Sequence, residues 1–427
     1  MQAAVRRPKR LTGTITPPGD KSISHRAAIF NAIADGEARI DNYGPGADCQ
    51  STLRVLRALG TQIDGKGSSF TVHGGILQEP ADVLNTGNSG TTTRLMAGVL
   101  AGQSFLSVMT GDKSIRSRPM GRIVDPLRLM GAEVDGRAGG KLAPLTFRGG
   151  ALHGIEYRLP VASAQLKSAL LLAGLFADGE TVLTQPALSR DHTELMFRAM
   201  GAEVIEDGLS VSVKPARLRA VDVSVPADIS SAAYWLVAAV CHPDAELTVM
   251  GVGTNPTRTG ILDVLQAMGA DLSVVNERIE GGEQVADLVA RSSKLHATEI
   301  AGDLIPRLVD EVPVLALAAC FAEGTTVIRD ASELRVKESD RLQATCKELN
   351  RMGAAVEELD DGLRITGGHA LTGAACRSYA DHRIAMTLGI AGLLAAGETT
   401  IAAAETASIS YPSFWDDLAG LGDGAKS

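Results

Sequence analysis

At six places along the chain, a run of small and apolar residues gives way to a short segment in which apolar and polar residues alternate. These segments are 36–40, 102–106, 179–183, 245–249, 324–328 and 397–401. Alternation with period two predicts half-exposed strands. The runs before them, such as 168–176, are apolar on every side, which predicts helices buried inside each domain. Glycine opens five of the six segments (Gly36, Gly102, Gly179, Gly324, Gly397), as expected of a residue just past a helix end that must accept positive φ.

A second pattern keeps step with the first. An apolar residue, a glycine and a small residue recur at Leu59-Gly60-Thr61, Met130-Gly131-Ala132, Met200-Gly201-Ala202, Met268-Gly269-Ala270 and Met352-Gly353-Ala354, with a weak sixth copy at Leu421-Gly422. The glycines are 71, 70, 68, 84 and 69 residues apart. A fixed period of this kind marks an internal repeat. Each unit reads helix, strand, helix, glycine, strand, often with another strand after it. Six units are expected to divide three and three between two domains, and 427 residues suit two cores better than one. The extended stretch 219–226 and Pro226-Ala227-Asp228, which open a helix predicted over 229–240, place one crossover near 226–228. The expected domains are therefore 20–227, and a discontinuous one of 1–19 plus 228–427 whose first residues pair with the C-terminal half.

Charge narrows the function. The net charge is −9 and aromatics make up 4% of residues, which argues against nucleic acid and anionic membrane as partners. Met1 to Arg10 is basic, but no apolar run follows it as in a signal peptide, and stretches such as 312–321 are too short to span a bilayer. Cys49, Cys241, Cys320, Cys346 and Cys376 form no Cys-x-x-Cys pair, so neither a disulfide framework nor a zinc site is expected. Scattered thiols suit a reducing cytoplasm.

Against this acidic background, cations gather at a few places. Pro18-Gly19-Asp20 is a turn, and Lys21-Ser22-Ile23-Ser24-His25-Arg26 leads from it into an apolar helix. Unpaired N–H groups at such a helix start suit an anion, and the lysine, hydroxyls and arginine add to them. Thr86-Gly87-Asn88-Ser89-Gly90 through Arg94 opens a second apolar helix without the lysine of a nucleotide-binding P-loop; a simply capped helix explains it equally well. Lys113, Arg116 and Arg118 crowd a turn bounded by Pro119. Ser163-Ala164-Gln165 heads another apolar helix, with Ser163 as its N-cap and Gln165 able to donate to a ligand. Ser189-Arg190-Asp191-His192 is a charged turn. In Arg335 to Arg341, read as helical, Lys337 and Arg341 share a face beside Glu338; an exposed ion-pair helix is the plain alternative. Asp381-His382-Arg383 runs straight into an apolar helix, so these charges need buried partners. Asp310-Glu311 precedes another, where a carboxylate serves the helix dipole or, facing cations, a general base.

Together, in order and over almost the whole chain, these segments resemble the 5-enolpyruvylshikimate-3-phosphate synthases. The most specific are 18–26, 87–94, 335–342 and 381–386. The resemblance implies an α/β (α+β) chain with the two-domain enolpyruvyl transferase fold. Each domain then holds three β-α-β-α-β-β repeats around buried helices, and the active site lies in the cleft between them. It implies transfer of the enolpyruvyl group of phosphoenolpyruvate to the 5-hydroxyl of shikimate-3-phosphate through a tetrahedral adduct, with loss of phosphate and no metal or organic cofactor. By motif, Lys21, Ser22, Arg26, Ser163, Ala164, Gln165, Arg190, Asp310 and Lys337 are expected at shikimate-3-phosphate. Lys21, Gly90, Arg118, Gln165, Arg341, His382 and Arg383 are expected at phosphoenolpyruvate. Asp310 corresponds to the base for the 5-hydroxyl, and Glu338 to the proton donor for the methylene, with Lys21 as competitor or helper. A cytoplasmic monomer acting on small molecules is expected.

The chain departs from some members at Ala164, where they have a second serine, at Glu333, near an asparagine, and at Ser410, where they have a lysine. The Ser-Ala-Gln and Ser-Arg-Asp-His-Thr-Glu segments resemble the class II subgroup, which is linked to tolerance of glyphosate, while Gly90 keeps the small residue that leaves room for that inhibitor. The rival readings are UDP-N-acetylglucosamine enolpyruvyl transferase and a non-catalytic anion-binding protein of the same fold. The first typically has Lys-Asn where this chain has Lys21-Ser22, and a cysteine in the loop matching 109–118. RNA-end processing on a related repeat is opposed by the acidic charge.

Overall fold

The computed structural model describes residues 1–421; Gly422, the last member of the glycine series, lies outside the described residues. The chain forms two compact units. One, here the inserted unit, is Gly19–Val225 with Glu280–Gly282; the other, the outer unit, is Met1–Pro18, Pro226–Ile279 and the chain from Glu283 on. Each has its own hydrophobic core.

Each core is built on three helices that are buried along nearly their whole length. In the inserted unit they are Lys21–Ala32, Gly90–Ala101 and Ala164–Gly174. In the outer unit they are Ile229–Cys241, Val312–Cys320 and His382–Leu394. Their all-round apolar composition leaves no face for water. Small residues bring them close: a Cβ on Gly98 would lie 2.0 Å from the Ala169 carbonyl oxygen of the neighbouring helix. The helix predicted over 168–176 ends at Gly174, and Phe176 beyond it is 37% exposed.

Every buried helix leads to a strand with a parallel neighbour on one side and an antiparallel one on the other. In the inserted unit these strands are Glu37–Asp41, Leu106–Thr110 and Thr181–Thr184. The unit's last strand, Val223–Ser224, is the parallel neighbour of Glu37–Asp41, so the final segment completes the first sheet. In the outer unit the chain's own start does this. Leu11–Ile15 runs parallel to Ala245–Gly253, and Gln2–Arg6 runs antiparallel to Glu398–Ala402.

Among the described residues, five sheets have four strands and one has three, a departure from six like repeats. Where the other sheets carry a hairpin, the last carries Gln2–Arg6 alone. After Ala402 the chain instead turns through Ala404–Ile409 into Phe414–Gly420. There Tyr411 and Phe414 pack against Trp235, with Phe414 also on Tyr234.

The second glycine pattern has a backbone cause. Amphipathic helices Ala47–Ala58, Gly121–Leu129, His192–Ala199, Gly260–Ala267 and Arg341–Arg351 each end two residues before a glycine of the series, with one capping residue between. Those glycines have φ from 86° to 94°, a left-handed turn that terminates a helix at little cost only without a Cβ. Of the first pattern, Gly36, Gly179, Gly324 and Gly397 also have positive φ. Gly102 does not: it is the helix C-cap at φ −91°.

Candidate active site

The predicted site residues collect at the N-terminal ends of the buried helices. In the inserted unit, Asp20 caps the first helix by accepting from the Ile23 N–H at 2.8 Å. Ser89 caps the second, accepting from Thr92 N–H at 3.1 Å. Ser163 caps the third, accepting from Leu166 N–H at 3.4 Å. Lys21, Gly90 and Ala164 are the first helical residues behind these caps.

Hydrogen bonds tie the three helix starts together. Arg26 is 2% exposed. Its Nε donates to Thr193 Oγ1 at 2.7 Å, Nη2 to Ser168 Oγ at 2.7 Å and Nη1 to the Ser22 carbonyl at 2.9 Å. Arg94 Nη1 donates to Gln165 Oε1 at 3.0 Å, and Gln165 Nε2 to Thr91 Oγ1 at 3.0 Å. A hydroxyl chain runs from His25 Nδ1 through Thr52 (2.6 Å) and Thr92 (2.7 Å) to Ser89 (2.7 Å). Burial, then the charges of Lys21 and Arg26, hold the His25 imidazole well below its ordinary pKa.

Gly90 is where cations meet. A Cβ there would lie 2.7 Å from Arg94 Nη1 and 2.9 Å from Arg118 Nη1. Two guanidiniums therefore reach one backbone position at a helix N-terminus, a geometry suited to a carboxylate or phosphate. Arg118 reaches it from the end of the short helix Lys113–Ser117. Lys21 Nζ lies 3.3 Å from Asp48 Oδ2, and Arg190 Nη1 lies 3.5 Å from Ser22 Oγ. Lys21, Ser22, Ala164, Gln165 and Arg190 keep partial exposure, whereas Arg26, Gly90, Arg118 and Ser163 are buried.

The outer unit gathers its residues around Arg341, also 2% exposed. Arg341 Nε donates to Asp381 Oδ2 at 2.9 Å, Nη1 to Asp310 Oδ1 at 3.2 Å and Nη2 to Glu338 Oε2 at 2.7 Å. Burial alone would lower the Arg341 pKa, but the charges of Asp381, Glu338 and Asp310 together drive it upward. Asp381 caps the helix that begins at His382, accepting from Arg383 N–H at 2.9 Å. Arg383 Nη1 donates to the Ser230 carbonyl at 3.2 Å. Burial raises the Tyr234 phenol to about 12, against the opposing charge of Arg383. The Ser230 hydroxyl donates to Glu311, and Arg258 Nη2 donates to Ser230 Oγ at 2.8 Å and to Asp228 Oδ1 at 3.2 Å. His382 is buried, with Nδ1 3.9 Å from Asp381 Oδ1.

One local expectation fails. Residues 335–341 are not one helix. A 3-10 turn, Ser332–Val336, ends at Lys337, which is extended at φ −80°, ψ −151°. Asp340 then caps a new helix, accepting from Gln343 N–H at 3.0 Å. Lys337 and Arg341 thus do not share a helical face, and Lys337 Nζ lies 3.3 Å from Glu333 Oε1. Arg335 causes the break by bonding Glu358, Asp340 and the Leu359 carbonyl.

Sequence reasoning left several contributors without a role, Asp48, Arg94, Asp228, Ser230 and Arg258, and read Glu311 only as a helix-head carboxylate and Asp381 only as a charge in need of a partner. Arg94 had a signal, since four residues after Gly90 it shares that helix face. So did Asp228, which heads an apolar helix as Asp20 does. Asp48 and Arg258 had none, because their partners are distant in the chain.

The chain matches the family described as EPSP synthase (3-phosphoshikimate 1-carboxyvinyltransferase) over residues 5–418. It is 58% identical over 417 residues to the 3-phosphoshikimate 1-carboxyvinyltransferase of Gloeobacter violaceus, covering 96% of each chain. It is 55% identical over 419 residues to that of Roseiflexus castenholzii, covering 96% of this chain and 97% of the relative. Among solved structures, an EPSP synthase from Acinetobacter baumannii superposes with TM-score 0.88 at 44% identity, over 99% of this chain and 98% of that one. The enolpyruvyl transferase NikO from Streptomyces tendae shares the fold at 22% identity, with TM-score 0.79 over 98% of this chain and 96% of that one.

Proposed function

The chain belongs to the EPSP synthase family, and on that premise we propose how its residues carry the family's reaction. The enzyme transfers the enolpyruvyl group of phosphoenolpyruvate to the 5-hydroxyl of shikimate-3-phosphate and releases phosphate. This is a shikimate-pathway step toward chorismate and the aromatic amino acids. The 5-hydroxyl oxygen bonds to C2 of phosphoenolpyruvate while C3 takes a proton, forming a tetrahedral adduct. The adduct then loses phosphate from C2 and a proton from C3, which restores the double bond.

The observation that carries the assignment is Arg341 holding Asp310 and Glu338 through separate nitrogens. Two carboxylates are thus oriented by one rigid fork. Asp310 takes the proton of the 5-hydroxyl. Glu338 gives a proton to the methylene and takes one back in the elimination, with Lys21 as a second proton carrier. Arg341, Arg383 and His382, with Lys21, Gly90, Arg118 and Gln165, bind phosphoenolpyruvate. Without a Cβ at Gly90, the Arg94 and Arg118 guanidiniums close on the helix start, where they pair with one of the anionic groups of phosphoenolpyruvate. Lys21, Ser22, Arg26, Ser163, Ala164, Gln165, Arg190, Asp310 and Lys337 bind shikimate-3-phosphate. Excluding water around the substrates strengthens each charge pair.

The reading also takes the enzyme to be a cytoplasmic monomer. All five cysteines are free, which suits a reducing compartment, and among the described residues no helix is long and apolar enough to cross a membrane. Light scattering tests the monomer. The test of the reaction is phosphate release from phosphoenolpyruvate given either shikimate-3-phosphate or UDP-N-acetylglucosamine. Release with the first acceptor alone is the expected result; release with the sugar nucleotide alone would overturn the acceptor.

A further inference from the structure

Beneath the turn that carries Arg190 lies an ion pair that no step of the reaction uses. Lys167 and Glu194 are 1% and 2% exposed, with Lys167 Nζ 2.5 Å from Glu194 Oε1. Lys167 lies on the buried helix headed by Ser163, and its backbone N–H donates to the Ser163 carbonyl at 3.0 Å. Glu194 lies on the helix His192–Ala199 that follows the turn. The same ammonium donates to the Ser189 carbonyl at 3.1 Å. A desolvated ion pair gives little net stability against an apolar pair of similar volume, so packing alone is a weak reason for a lysine and a glutamate here.

Ser189 is held at every polar group. Lys167 takes its carbonyl, and Gln185 Oε1 accepts from both its N–H at 3.1 Å and its hydroxyl at 2.5 Å. The next residue is Arg190. We propose that the Lys167–Glu194 pair, acting through the pinned Ser189, is a positioning device that sets Arg190 for shikimate-3-phosphate. The lysine couples the helix start that presents Ser163 and Gln165 to the turn that presents Arg190, so that their spacing matches one ligand. Glu194 keeps the ammonium aimed at the Ser189 carbonyl. This rests on the reading of Arg190 as a shikimate-3-phosphate ligand.

The test is steady-state kinetics of the full-length enzyme, with each substrate varied in turn, together with thermal unfolding. Lys167→Met should raise KM for shikimate-3-phosphate on the order of tenfold, because a small misplacement of a binding group is costly, and should change KM for phosphoenolpyruvate less than about twofold by the same logic. It should also lower Tm. The double variant Lys167→Met with Glu194→Leu should regain Tm, because no buried charge is left alone, yet keep the raised KM. If the double variant regains both, the pair is merely structural and the proposal falls. Arg190→Gln separates the premise from the inference. If it raises KM for shikimate-3-phosphate while Lys167→Met does not, the inference alone fails. If Arg190→Gln leaves that KM unchanged, the ligand reading fails and the inference with it. Should Lys167→Met not fold, Gln185→Met frees Ser189 without touching the pair. The same rise in KM is then expected, and an unchanged KM overturns the proposal.

Discussion

The two units use one scaffold for opposite electrostatic ends. In the inserted unit, Arg26 donates to the Thr193 and Ser168 hydroxyls and the Ser22 carbonyl, and Arg94 donates to the Gln165 amide oxygen. Such bonds aim a guanidinium without neutralising it. In the outer unit, Arg341 donates to three carboxylates and Arg258 to Asp228. There the cation organises acids. One arrangement suits holding a phosphorylated ligand, the other suits moving protons. The repeat supplies three buried helix starts to each unit, and the residues placed on them decide the chemistry.

The sharpest way to break this comparison is to remove the central arginine from each unit. Arg341→Met leaves Asp310, Glu338 and Asp381 without their shared cation. It should cost roughly 3–5 kcal/mol of stability, as when one partner of a buried ion pair is lost, and abolish turnover. Arg26→Met takes a donor from two hydroxyls and the Ser22 carbonyl, and Ser168 and Thr193 already bond each other at 2.6 Å. Its cost should stay nearer 1–3 kcal/mol, that of an unsatisfied neutral group. Urea unfolding of both variants measures the difference. Equal costs would mean that carboxylate and neutral surroundings are not the distinction drawn here.

Proton transfer gives the next largest effect. Glu338→Ala should lower kcat by roughly 10²–10⁴, the range for a lost general acid, with Tm close to wild type because Glu338 keeps partial exposure. Lys21→Met should also remove most turnover while leaving the fold intact. A near-normal kcat in either variant removes that residue from the proton path. Gly90→Ala should act more mildly. The new methyl meets the guanidinium ends of Arg94 and Arg118 first, rather than backbone, so the fold should persist while KM for phosphoenolpyruvate rises about tenfold, the effect of a small misplacement. A larger change in KM for shikimate-3-phosphate would reassign the pocket at Gly90.

Local features of this molecule were legible in the sequence, and long-range pairings were not. Five repeat glycines adopt φ of 86–94° because helix termination is decided within a few residues. The helix starts at Lys21, Gly90 and Ala164 follow from caps that are neighbours in the chain. Lys21 and Asp48 are 27 residues apart, and Arg94 and Gln165 are 71 apart; no periodicity encodes such meetings. The misread helix over 335–341 is the same failure on a smaller scale. Its spacing permits a helix, and Arg335 bonding to Glu358 and the Leu359 carbonyl prevents it.

The smallest effect concerns pH, and it tests whether burial beside two cations keeps His25 of the inserted unit neutral. His25 is fully buried behind Lys21 and Arg26, and its pKa is depressed, chiefly by burial and then by those two charges. In the unfolded chain its pKa returns to about 6.5. Below that value the unfolded state binds a proton that the folded state refuses, so the contribution of His25 to stability is whole above pH 6.5 and falls as pH drops toward the folded value. The slope for one proton is about 1.4 kcal/mol per pH unit. His25→Gln removes that proton from the balance. At pH 8 the variant should be less stable by about 1 kcal/mol for the lost bond to Thr52, and between pH 6.5 and 5 the gap should close as the wild type loses stability faster. If the two stability curves stay parallel through that window, His25 takes its proton inside the fold, and burial with the neighbouring cations does not hold it neutral.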